Sequence, residues 1–147
     1  MTSIDFYFNA ADRLTVACRL AGKAARQKRR VLVYAPQPET ARDFDRLLWT
    51  WQALSFVPHC HAGDPLAAET SVVIAAGDEP LSLAHGPREV LLNLATECPP
   101  FFERHERLLE VIAQDEEARR AGRARYAFYR DRGYQISHHD LGGEQRA

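Results

Sequence analysis

Two short segments of this 147-residue chain carry residue types that bind metals or act as nucleophiles: His59-Cys60-His61 and His138-His139-Asp140. Zinc takes three or four ligands converging on a tetrahedron. In an extended segment His59 and His61 share one face and Cys60 points to the other, so a site would need ligands from distant segments. Nothing in the sequence supplies them. A Cys60–His nucleophilic pair would further need an orienting third group and an oxyanion hole, and no pattern marks either. The simpler reading is surface or hydrogen-bonding histidines, with no metal, no cofactor and no catalytic constellation. The sequence assigns no role to His59, His61, His138 or His139.

Arginine carries the stronger signal. Successive residues of a helix turn by about 100°, so Arg119, Arg123, Tyr126 and Arg130, spaced by four, three and four, fall on one stripe. Ala118, Ala121, Ala124 and Phe128 read as the opposite, apolar side, with Tyr129 at its edge. Two readings stand: a solvated basic face, or a ligand site in which a tyrosine ring is flanked by carboxylate- or phosphate-pairing forks. An acidic peptide with an apolar end would suit such a face, and so would single-stranded nucleic acid.

The elements that must position these residues follow from periodicity. Ser3–Phe8 alternates apolar and polar residues, as a strand does. Asp12–Gln27 carries Val16, Ala17, Leu20, Ala21 and Ala24 on one helical stripe. The basic cluster KAARQKRR (23–30) closes that helix, where the helix dipole favours cations. VLVYA (31–35) ends at Pro36 and has the pattern of a strand buried on both faces. A helix follows over 39–51. Ser71–Ala76, Glu89–Leu94 and Leu108–Ala113 are further strands. A charged helix runs from Asp115 to Arg132 and ends at Gly133, after which Tyr134-Gln135-Ile136 forms a last strand. Residues 142–147 are a frayed tail. Interleaved strands and helices predict an α/β fold: a three-layer α/β/α, Rossmann-like sandwich with a mostly parallel sheet, all in one domain. No glycine-rich nucleotide-binding loop follows Phe8 or Ala35.

Bulk composition excludes several classes. The chain is 46% hydrophobic and 27% charged with a net charge of -1, which argues against coating nucleic acid by bulk electrostatics. Cys18, Cys60 and Cys98 are an odd number without Cys-x-x-Cys spacing, pointing to reduced thiols in a cytoplasm. No apolar run approaches the ~20 residues that span a membrane. The start MTSIDFYF is not a signal peptide.

LLWTWQALSFVPH (47–59) holds both tryptophans. Ala41, Phe44, Leu48 and Trp51 share the core stripe of their helix, with Leu47 beside it. Trp49 falls on the flank, where it is either covered by the following loop or kept exposed for a partner. Phe56, Val57 and Pro58 leave apolar groups on that loop, because proline prevents regular strand pairing.

Taken in order, DFYF, RRVLVYAP, FDRLLWTW with SFVPH, REVLLNL, FERHERLLEVI, and RARYAFYRDRGY closing with HHD resemble the chi subunit of bacterial DNA polymerase III, from about Ile4 to Asp140. The resemblance implies a Rossmann-like domain without catalysis, an accessory subunit of the holoenzyme's clamp-loader assembly. Such a subunit bridges the polymerase to single-stranded DNA-binding protein by gripping that protein's acidic C-terminal tail, which ends in an apolar residue with a free carboxylate. The family's tail-binding positions match Arg119, Arg123 and Tyr126, with Ile112 at a nearby apolar position. The family's surface for the psi subunit matches Trp49 and Phe56, beside Val57. The partner there is psi or a divergent equivalent. Gly122 departs from a good helix former at a cost of ~1 kcal/mol against Ala; the expected effect is a looser pocket that keeps all its binding groups. The main rival is a basic-helix module that binds single-stranded nucleic acid directly.

Overall fold

The computed structural model describes residues 2–50, 58–62, 64–67, 70–76, 88–100 and 102–142. Within them seven strands, β1 (Ser3–Ala10), β2 (Val31–Ala35), β3 (His59–His61), β4 (Val72–Ala76), β5 (Val90–Asn93), β6 (Arg107–Ala113) and β7 (Ile136–Asp140), form one sheet in the order β3-β4-β2-β5-β6-β1-β7. Every neighbouring pair is parallel. The expected α/β fold is therefore present, with an all-parallel sheet. Parallel neighbours need crossover connections, and these put helices on the sheet's faces.

Helices α1 (Arg13–Arg26) and α2 (Pro38–Thr50) share one core with one face of the sheet, and α3 (Glu116–Asp131) packs on the other. The period of two along each strand divides the residues between the cores. In β2, Val31, Val33 and Ala35 face α1 and α2 while Leu32 and Tyr34 face the α3 side. In β6, Leu109 and Val111 go one way and Leu108 and Ile112 the other. A continuous apolar run is what such two-sided burial requires.

Local signals set the helix ends. Asp12 caps α1 by accepting from Thr15 N–H at 3.2 Å, and Asp115 caps α3 by accepting from Ala118 N–H at 3.0 Å. Each satisfies an amide that the first helical turn leaves without a partner. Gly133, at φ +80°, follows α3 in the left-handed region that glycine enters without steric cost.

Three expectations need correction. The last strand is Ile136–Asp140 rather than Tyr134–Ile136: Tyr134 packs its ring against Phe102 at 5.2 Å, and only then does the chain reach β1 and pair Ile136 with Ile4. β1 continues past Phe8 through a bulge between Tyr7 and Ala10, with Asn9 at φ 62°; a bulge re-aims the residues beyond it, and asparagine tolerates that backbone. The extended segment His59-Cys60-His61 is an edge strand beside β4. The third correction concerns the face of α3. Its buried residues are Gly122, Arg125 and Tyr129, whereas Ala124, assigned to the apolar side, is exposed. Each buried position lies one residue after the expected one, a rotation of about 100°.

Candidate functional site

That rotation has a cause in β6. Glu110 is fully buried between the apolar residues Leu108, Leu109, Val111 and Ile112 of β6, and a buried carboxylate must be paired and hydrogen-bonded. Arg125 Nε donates to Glu110 Oε1 at 2.9 Å, and the Tyr129 hydroxyl donates to Oε2 at 2.7 Å. Asn93 Nδ2 reaches both carboxylate oxygens, at 3.1 and 3.0 Å. The remaining reach of Arg125 goes to the carbonyl of Thr96 at 2.9 Å. Burial first, and then the adjacent Glu110 charge, push the Tyr129 phenol far above its ordinary range, so it stays a donor. Beside this network Arg13 donates to the carbonyls of Val111, Leu94 and Ala95 at 3.0–3.2 Å and ties the C-terminal ends of β5 and β6 to α1. Burial, then the repulsion of Arg125, draws the Arg13 pKa below its usual value.

With Arg125 turned inward, its neighbour Tyr126 cannot face outward. It sits at the edge of α3 against the sheet, its ring edge-on to Phe6 at 5.7 Å and tilted against His138 at 5.4 Å. Arg119, Arg123 and Tyr126 line one side of an open groove of about 390 Å³ between α3 and the β1–β7 margin. Phe6, Phe8 and Ile112 contribute apolar surface to it, and Asn9 and His138 its polar far side. The structure thus brings Arg119, Arg123, Tyr126 and Ile112 together. Arg130, the fourth residue of the stripe, holds its guanidinium 5.8 Å from the centre of the Tyr126 ring and pairs with Asp131 at 3.2 Å.

Among the described residues the lining holds two arginines and no carboxylate. Arg123 bonds Glu116 at 3.2 Å, with both side chains more than half exposed. An exposed pair of this kind is worth only ~0–1 kcal/mol, so an incoming carboxylate can take the guanidinium over. Among the described residues Arg119 has no side-chain partner. Gly122 also differs from its expected role. A Cβ there would stand 2.7 Å from Ile112 Cδ1, so the glycine lets α3 settle directly onto Ile112 and tightens the groove.

Trp49 lies on the flank of α2, 58% exposed, while Phe44 and Leu48 of the same helix are buried. Its ring stands edge-on to His59 at 4.8 Å, and His59 Nε2 lies 3.2 Å from Asp45 Oδ1. Trp51, Phe56 and Val57 lie outside the described residues. Cys60 packs on the α3 side of the sheet, away from His59. Among the described residues no three His, Cys, Asp or Glu side chains could hold a metal ion.

Sequence reasoning missed Glu110, Arg125 and His138. The first two had a signal: an acid within LLEVIA demands a buried cation, and the arginine-rich helix next in the chain supplies it. His138 had none, since its place in the groove depends on β7 pairing with β1.

The chain matches the family model for the DNA polymerase III chi subunit, HolC, over residues 1–137. It is 35% identical to DNA polymerase III subunit chi of Pseudomonas aeruginosa over 145 residues, covering 96% of this chain and 98% of that protein. It is 27% identical to the subunits of that name from Haemophilus influenzae, covering 86% of each chain, and from Escherichia coli, covering 83% of this chain and 81% of that one.

Proposed function

The chain belongs to the DNA polymerase III chi subunit family, and from that membership we propose that it is a non-catalytic, cytoplasmic accessory subunit of the polymerase III holoenzyme. It bridges the polymerase to single-stranded DNA-binding protein by holding that protein's acidic C-terminal tail in the groove beside α3. The observation that supports the reading is the convergence of Arg119, Arg123, Tyr126 and Ile112 on one concavity. An apolar floor under a cationic rim suits a peptide that ends in an apolar side chain and a free carboxylate.

In this reading the terminal side chain packs against Ile112 and the Tyr126 ring. The Arg123 fork takes the terminal carboxylate in two parallel charge-assisted bonds. Arg119 attracts the tail's acidic residues at longer range. The exposed Trp49 belongs to a separate surface for psi or its equivalent; Phe56 and Val57, which the family resemblance adds to it, lie outside the described residues. Among the described residues no helix is long and apolar enough to cross a membrane.

The test is a titration of an acidic, apolar-ended peptide in two forms, with its C-terminal carboxylate free or amidated. A hydrogen bond to a charged group contributes ~1.5–3 kcal/mol, so Arg123→Ala weakens the free acid roughly tenfold to a hundredfold. Arg119→Ala costs less, and its effect shrinks as salt rises. Equal binding of the two peptide forms would sink the assignment.

A further inference from the structure

The chain carries a net charge of -1, yet the stretch from Arg13 to Arg30 holds seven basic residues and no acidic one. Arg19, Lys23 and Arg26, spaced by four and three, form one exposed stripe along α1. Among the described residues none of these three side chains has an ion-pair or hydrogen-bond partner. The helix dipole accounts for cations in the last turn, Lys23 and Arg26. It does not account for Arg19, nor for what lies beside the stripe.

Lys23 and Gln27 share a small cavity with Tyr7 and Arg107 of the sheet. Tyr7 stacks on His139 of β7, ring centres 4.4 Å apart and planes within 12°. Asp5 locks this pair in place: its Oδ1 lies 3.0 Å from His139 Nε2, and its Oδ2 accepts from Arg107 Nη2 at 2.9 Å. His139 keeps 42% of its side chain exposed. The result is a fixed aromatic platform beside a row of unneutralised cations, on the face of the sheet opposite the α3 groove.

We propose that this face binds single-stranded nucleic acid, with the phosphates tracking Arg19, Lys23 and Arg26 and a base stacking at the Tyr7–His139 pair. Charge complementarity calls for a polyanion, and the stacked rings select one with exposed base faces, which a duplex conceals. The site is distinct from the α3 groove and does not depend on what that groove binds.

The experiment is fluorescence anisotropy of a labelled single-stranded oligothymidylate with the whole protein across a salt series. Every cation that no longer neutralises a phosphate lowers the slope of log affinity against log salt by about 0.7. Lys23→Ala/Arg26→Ala therefore lowers the slope by about 1.4 and weakens low-salt binding at least tenfold. His139→Ala weakens binding about fivefold or more, because the base has one ring fewer to stack on. Arg123→Ala, the α3-groove variant, leaves this binding unchanged. Wild-type affinity in the double variant would overturn the proposal, as would a loss that follows Arg123 instead. Equal affinity for an acidic polypeptide of the same charge would overturn it too, since that partner has no bases to stack.

Discussion

Arg125 and Glu110 form a salt bridge with Nε 2.9 Å from Oε1, and both side chains are at least 95% buried, inside what would otherwise be an apolar contact between α3 and β6. The pair, with Tyr129 and Asn93 completing the carboxylate's hydrogen bonds, sets the rotation of the helix that carries the groove. Removing one partner of a buried pair strands the other's charge, at a cost of ~3–5 kcal/mol. Arg125→Ala is therefore expected to lower unfolding free energy by that order in urea titrations. Replacing both residues by apolar ones of similar volume is expected to cost far less. A double variant as unstable as Arg125→Ala would show that the network's value is not this charge pairing.

Gly122 and Ile112 set a second expectation. Gly122→Ala gains ~1 kcal/mol of helix propensity, but the new methyl would stand 2.7 Å from Ile112 Cδ1 and 3.1–3.2 Å from Cγ2 and Cγ1. Ile112 must move, and it lines the groove. The single variant should change stability by less than ~1 kcal/mol while weakening the acidic peptide. Adding Ile112→Val removes Cδ1, the nearest atom, and should raise stability above that of Gly122→Ala alone.

Trp49 tests the other surface. With more than half its area exposed, Trp49→Ala should destabilise the isolated protein by less than ~2 kcal/mol, short of the ~3–5 kcal/mol of a buried aromatic. A partner that uses it as an anchor should lose ~2 kcal/mol or more. Denaturant melts and partner titrations of the same variant separate the two effects.

His105 gives a pH dependence of known sign. Burial lowers its pKa below the ordinary value, Arg104 adds to this, and the Nδ1–H bond to the Arg88 carbonyl at 2.7 Å opposes it. The unfolded chain therefore takes up a proton near pH ~6.5 that the folded protein accepts only at lower pH. The contribution of the neutral ring is complete above ~6.5 and is lost as pH falls through the lowered folded pKa. Unfolding free energy should decline on acidification from about pH 7 to 5, with a smaller decline in His105→Gln. Parallel pH profiles for the two proteins would leave another histidine responsible.

Much of the architecture is legible one segment at a time. The run VLVYA and the stripe Val16–Ala17–Leu20–Ala21–Ala24 each state a local preference that burial then rewards, so β2 and α1 stand where periodicity puts them, and α3 begins at the expected Asp115 boundary. Arg119, Arg123 and Tyr126 were also readable as a set, because helical spacing alone places them together. The tertiary structure decided how that set faces. Apolar periodicity counts Arg125 and Glu110 as solvent residues, since each alone would be; only their meeting across α3 and β6 makes burial affordable, and that meeting turns the helix and swings Tyr126 onto Phe6. The far side of the groove depends on His138 of β7 coming beside Phe6 of β1, 132 positions earlier in the chain. A spacing rule reaches one or two turns of chain, whereas a contact of that separation is specified by the whole sheet.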